Sequence, residues 1–142
     1  MRILVINGPN LNLLGLREPR IYGKETYSDL VEKITRYCRE RGDEAVCLQS
    51  NHEGDLVDYI QSARGAYDGI VINPAAYTHT SVAILDAVKS VCVPTVEVHI
   101  SKVEEREPFR LQSYIRAACI GTVTGRGTDG YLEAIEIIRN KK

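Results

Sequence analysis

The chain has 142 residues, 44% of them hydrophobic and 26% charged, the make-up of one ordinary globular domain and not of a disordered or fibrous segment. Against 19 acidic residues stand 18 basic ones, a formal net charge of -1, and the one basic block is Lys141-Lys142, so no positive surplus exists to draw in nucleic acid. No stretch approaches the ~20 apolar residues that span a bilayer, which excludes a membrane partner of that kind.

The opening run Arg2-Ile3-Leu4-Val5-Ile6 reads as a buried strand. It is too short for a signal-peptide core and no small-residue cleavage site follows it, which points to the cytoplasm. Thr26 to Arg41 carries Tyr27, Leu30, Val31, Ile34 and Cys38 at helical spacing, with a Thr26–Asp29 capping box at its start and Gly42 as its stop. A second strand runs from Glu44 to Gln49. A helix over about 53–64 follows, with Leu56, Val57, Ile60 and Ala63 inward. Gly69 to Ile72 is wholly apolar and so predicts a central strand. The run Thr78–Ser81 begins the next helix, with Val82, Leu85 and Val88 on one face, and Thr95 to Ile100 is the fourth strand. Ser101 to Cys119 predicts an irregular loop with a short helix. Ile120 to Thr124 is the fifth strand, and Thr128 to Asn140 the last helix, with Leu132, Ile135 and Ile138 inward. The cysteines Cys38, Cys47, Cys92 and Cys119 form no C-x-x-C pair and read as small buried or half-buried thiols, not as a disulfide framework or a zinc site.

Strands alternating with helices imply parallel β-α-β units with right-handed crossovers. Five of them predict a three-layer, flavodoxin-like α/β fold with strand order 2-1-3-4-5, in a single domain over 1–142. Ligands in that architecture sit outside the carboxyl ends of the strands, so the segments just beyond each strand are where a site is expected.

After the first strand, Asn7 to Gly23 carries three glycines and two prolines in seventeen residues without a regular pattern. Such a loop is either functional or a covered surface loop, and Leu11, Leu13, Leu14 and Leu16 argue that part of it packs down. After the third strand come Asn73 and His79. At the end of the fourth come Glu97, His99, Ile100 and Ser101, with Glu97 and His99 on one face of the strand by alternation. Two histidines at adjacent strand ends, with Asn73 between them, form a candidate site as readily as a structural one. Ser81 has no G-x-S-x-G elbow around it, and two histidines without further spaced ligands make a poor metal site. Gly125 to Gly130 matches G-x-G-x-x-G but follows the last strand, so it reads as a tight strand-to-helix turn bordering the crevice.

Four blocks together carry a resemblance. N-G-P-N-L-N-L-L-G-L-R-E-P-R-I-Y-G (Asn7 to Gly23), I-N-P-A-A-Y-T-H-T-S-V-A-I (Ile72 to Ile84), E-V-H-I-S (Glu97 to Ser101) and R-E-P-F-R (Arg106 to Arg110) resemble the type II dehydroquinases, in order and over essentially the whole chain. The departure is Lys102, where many members have Asn. The resemblance implies a lyase of the shikimate pathway, removing water anti from 3-dehydroquinate to give 3-dehydroshikimate through an enolate, without metal or cofactor. It implies Tyr22 as base, with Arg17 lowering the phenol's pKa, Asn10 holding the water at the enolate oxygen, and His99 as acid, positioned by Asn73 and Glu97. It further implies the substrate carboxylate on Asn73 and the Ile100 and Ser101 backbone, and His79 and Arg110 on ring hydroxyls. By the same resemblance, the loop at about 8–25 is a lid, and the assembly is a homododecamer of trimers in which Asp86 reaches a neighbour's site. The competing readings are a phosphoacceptor or flavin-binding module and another small-acid lyase. Asn7 and Asn73 stand where a receiver wants acidic residues, and Pro9 removes an amide from a phosphate loop.

Overall fold

The computed structural model describes residues 1–16, 18, 20 and 23–141. Five parallel strands, β1 (Arg2–Asn7), β2 (Glu44–Gln49), β3 (Gly69–Asn73), β4 (Thr95–His99) and β5 (Gly121–Thr124), lie in the order β2-β1-β3-β4-β5. Helices α1 (Tyr27–Arg39), α2 (Glu53–Ser62), α3 (Val82–Val91) and α4 (Asp129–Asn140) pack against the two faces. The flavodoxin-like arrangement and its strand order are as the alternating pattern predicted.

Alternation along each strand divides the core in two. On one face, Ile3, Val5, Val71, Val96, Val98 and Val123 meet Leu30 and Ile34 of α1 and Tyr131, Ile135 and Ile138 of α4. On the other, Leu4, Ile6, Ile70 and Ile72 meet Leu56 and Ile60 of α2 and Ile84, Val88 and Val91 of α3. Because Val96 and Val98 point to the first face, Glu97 and His99 must point to the second. There β4 is covered not by a helix but by the 3-10 turn Ile115–Ala118. This places two polar side chains in a pocket lined by loop.

The capping box of α1 is present in both halves. Thr26 Oγ1 accepts from the Asp29 amide and the Thr26 amide donates to Asp29 Oδ2, each at 3.1 Å; such a cap is worth about 1 kcal/mol. Gly42 stands at φ +77 just beyond the helix end, a left-handed position that favours glycine.

Four details refine the sequence pattern. The run Thr78–Ser81 is not the first turn of α3: Ala75–His79 is a 3-10 turn, and α3 begins at Val82 with Ser81 Oγ accepting from the Ile84 amide. That start rotates Val82 outward, 50% exposed, while Val88 is buried as expected and Ile84, Ala87 and Val91 join it. Residues 101–119 hold three 3-10 turns, at Val103–Glu105, Pro108–Leu111 and Ile115–Ala118. In the first loop Leu11 and Leu14 are buried, whereas Leu13 and Leu16 are exposed. All four cysteines are free thiols, but Cys92, at the C-cap of α3, is exposed.

The strand order reverses between β1 and β3, and here the register sets Asn7 opposite Asn73. Immediately beyond, the Gly8 amide donates to the Asn73 carbonyl at 2.8 Å. A Cβ on Gly8 would lie 2.5 Å from the Pro74 carbonyl oxygen, so only glycine lets the two strand ends close to this distance. No helix among the described residues is long and apolar enough to cross a membrane.

Candidate active site

The ends of β1, β3 and β4 open on a cleft of about 170 Å³, lined among others by Asn10, Asn73, His79, His99, Ile100, Ser101 and Arg110. Seven of the residues singled out from sequence thus share one cavity. Tyr22 and Arg17 lie outside the described residues. Asp86 is elsewhere, exposed on α3.

At the cleft's inner wall His99, 4% exposed, meets Glu97, which is fully buried, with Nε2 and Oε2 2.5 Å apart. Glu97 has further partners: Ser113 Oγ donates to Oε2 at 3.0 Å, and Arg116 donates through Nε to Oε1 at 3.1 Å and through Nη2 to Oε2 at 3.2 Å. Burial works to raise this carboxyl, but the hydrogen bonds from His99 and Arg116 outweigh it and hold it at about 2. An ionised Glu97 can only accept, so His99 Nε2 carries the proton of this bond and Nδ1 is the ring nitrogen left for the cleft.

His79 faces His99 with its ring nearly parallel, the centroids 6.5 Å apart. Its Nδ1 lies 2.6 Å from the Gln112 carbonyl, which can only accept, so Nδ1 is protonated and Nε2 is free to take a hydroxyl proton. Burial, with the nearby His99 and Arg110, pushes His79 below its ordinary value and favours the neutral ring. Arg110 is bound to Glu107 and lies 5.1 Å from the Phe109 ring centroid. Arg106, which the sequence marked only as the first residue of a block, also lines the cleft, with Nη1 3.5 Å from Ser101 Oγ.

Asn10 is held by its backbone. It sits at φ +71, a region asparagine tolerates, and its amide donates to Asn51 Oδ1 at 3.0 Å. Gln49 Nε2 in turn donates to Asn51 Oδ1 and to the Gly8 carbonyl. Residues from the end of β2 therefore fix the base of the long loop, which spacing along the chain did not reveal.

Asn73 turns its amide downward. Its Nδ2 donates to the Tyr131 hydroxyl at 3.0 Å and its Oδ1 accepts from the Ala75 amide at 3.1 Å. Tyr131, fully buried on α4, donates in turn to Asn7 Oδ1 at 2.6 Å. The hydrogen bonds of Asn73 thus run to α4 and to the turn beyond Pro74, not to His99. Tyr131 begins the buried stripe of α4 with Ala134, Ile135 and Ile138; the expected Ile135 and Ile138 are in it, and Leu132, only partly buried, stands one residue past Tyr131.

The turn after β5 completes the rim. The Gly125 and Gly127 amides donate to the Ser101 and Ile100 carbonyls at 3.2 and 3.1 Å. Gly125, at φ +72, lies under the Lys102 side chain, whose Cγ would collide with an added Cβ. The G-x-G-x-x-G run is thus a tight turn bracing the end of β4, and Lys102 packs on it. Among the described residues no three His, Cys, Asp or Glu side chains converge as a metal site.

The family model for class II dehydroquinases matches residues 1–139. A 3-dehydroquinate dehydratase of Geotalea daltonii is 52% identical over 140 residues, covering 99% of this chain and 97% of that protein. The crystal structure of a type II dehydroquinase from Butyrivibrio crossotus superposes with a TM-score of 0.96 at 53% identity, covering 98% of this chain and 97% of that one. A second, from Propionibacterium acnes, gives 0.92 at 41% identity, with 97% and 96% covered. A match of this extent, on a fold of the same strand order, places the chain in the type II dehydroquinase family.

Proposed function

We propose that this chain is a 3-dehydroquinate dehydratase, a hydro-lyase of the shikimate pathway of aromatic amino-acid biosynthesis, which removes water from 3-dehydroquinate by anti elimination through an enolate. The observation that carries the reading is the buried Glu97–His99 pair at the wall of a cleft shared with Asn10, His79 and Arg110. An elimination of this kind needs a base for the proton beside the ketone, a stabiliser for the oxyanion and an acid for the departing hydroxyl. His99 is the acid, its ring aimed by Glu97. Asn10 holds the water that meets the enolate oxygen, and its backbone is pinned for that purpose by Asn51. Tyr22 is the base and Arg17 its activator. The substrate carboxylate takes Asn73 and the backbone amides of Ile100 and Ser101, because a carboxylate only accepts and a carbonyl has nothing to donate to it. His79 and Arg110 take ring hydroxyls.

Residues 1–142 act as a single catalytic domain in the cytoplasm, and the loop at about 8–25 is its lid. Residues 8–14 of that loop are anchored through Gly8, Leu11 and Leu14. Incubation with 3-dehydroquinate tests the whole reading: the conjugated enone should appear in the ultraviolet and should persist after treatment with a chelator. No enone would overturn the activity, and loss restored by zinc or magnesium would overturn its independence of metal.

The working assembly is a homododecamer of trimers in which Asp86 enters a neighbour's site. Its exposure on α3, away from its own cleft, leaves it available for that contact. Mixed assemblies of Asp86→Ala and Tyr22→Phe subunits should regain part of the activity that each variant lacks alone. Absence of complementation would mean independent sites.

A further inference from the structure

Glu97 does not serve His99 alone. Its Oε2 receives His99 Nε2 and Ser113 Oγ, and the Arg116 guanidinium spans both carboxylate oxygens in the two-pronged geometry that arginine makes best. Arg116 comes from the 3-10 turn Ile115–Ala118, which lies over the second face of β4, and its side chain is 43% exposed. It is not part of the cleft lining, so it meets the reaction only through Glu97. We propose that Arg116 is a positioning residue that, by sharing the Glu97 carboxylate, orients His99 and loosens the hold of Glu97 on the His99 proton.

The physical argument concerns how one negative charge is divided. A buried carboxylate bonded to an imidazole alone stabilises the imidazolium fully, which makes the ring a poor acid toward a departing hydroxyl. A guanidinium on the same carboxylate neutralises part of that charge and, as a second cation nearby, disfavours the protonated ring. It also removes the cost of a buried charge left half-paired, so Glu97 stays ionised while His99 gives up its proton and takes it back. Among the described residues the other groups around the pair are few. His79 stacks on His99 from the 3-10 turn Ala75–His79, and Arg106 and Arg110 face the cleft from the loop after β4. Cys119, beyond the covering turn, is pushed up to about 12 by burial and stays neutral, and Glu104 acts on Arg116 from the turn Val103–Glu105. Among these, Arg116 alone is hydrogen-bonded to both Glu97 oxygens.

The proposal rests on His99 as the acid, and its test separates the two. The His99 ring is titrated by NMR in substrate-free protein for wild type, R116Q and R116K, and the pH dependence of kcat and KM is measured for the same three. In R116Q the His99 midpoint should rise, the high-pH limb of kcat should rise with it, kcat should fall roughly tenfold, a fraction of what a general acid supplies in full, and KM should hold. R116K, which keeps the charge and loses the fork, should fall between. An unmoved midpoint in folded R116Q, or a change confined to KM or to thermal stability, overturns the proposal and leaves Arg116 as a clamp on its turn. Should R116Q fail to fold, R116K decides, because its midpoint must still rise from wild type. The titration needs no substrate, so it stands or falls apart from turnover of 3-dehydroquinate.

Discussion

His99→Ala should lower kcat by about 10²–10⁴-fold, the usual contribution of a general acid or base, with KM changed far less. The fold should survive, because Glu97 keeps Arg116 and Ser113 as partners and no buried charge is stranded. Partial rescue by a small added acid would place the loss in proton transfer and not in substrate binding. A His99→Ala enzyme with near-normal kcat would remove His99 from the reaction. The state of Glu97 sharpens the pH readout. With its carboxyl held at about 2, it is ionised throughout any practical assay, so neither limb of the rate profile belongs to it. The same depression is a stability contribution whose sign follows from linkage. It is fully present above the ordinary carboxyl value of 4.5 and is lost as pH falls toward about 2, the range in which acid should begin to open the site.

The second large effect is expected at Tyr22. Tyr22→Phe should reduce turnover by at least about 10²-fold while the protein melts as before, since Phe keeps the ring and removes the hydroxyl alone. The tyrosines inside the molecule are poor substitutes for it. Burial pushes Tyr27 up to about 12 and raises Tyr131 as well, and the Tyr131 hydroxyl is already committed to Asn7 and Asn73. An ordinary phenol is less than about one per cent ionised at neutral pH, and a nearby cation lowers an acid by roughly 1–3 units. Arg17→Gln should therefore lower turnover near neutrality and move the ascending, low-pH limb to higher pH, because the base must lose its proton to act. Arg17→Lys should recover only part, keeping charge without the guanidinium fork. If the limb stays in place while KM rises, Arg17 grips substrate and does not activate Tyr22.

The strands were legible because each is a short run, β-branched in all but Glu44–Gln49, whose neighbours break the pattern, and parallel order followed from the intervening helices. The phase of α3 was not. Val82, Ala83, Ile84, Leu85, Ala87, Val88 and Val91 leave almost every position apolar, so periodicity has no single solution and the Ser81 cap decides it. Residues 101–119 fold as single 3-10 turns, too short to carry any period. The candidate site shows the same division. Asn73, His79, Glu97 and His99 were readable because strand ends in this architecture converge. Arg116 and Ser113 were not, for their meaning comes from a carboxylate 19 and 16 residues away, across a turn. Asn73 was placed correctly in space, yet its hydrogen bonds go to Tyr131, 58 residues further on.

That tyrosine has a consequence in the order of synthesis. Asn7 and Tyr131 are 124 residues apart, and one hydroxyl joins the first strand, the third strand and the last helix under the cleft. Chains emerge from the ribosome amino end first, at about 5–20 residues per second. β1 and β3 are therefore made, and able to pair, before α4 exists. Until α4 docks, Asn73 lacks the donor-acceptor partner beneath it and Asn7 lacks a proton to accept. A product interrupted within residues 125–130 would hold every side chain named for the reaction and still have no floor under them. The support under the cleft is thus completed only once α4 has docked on β1 and β3.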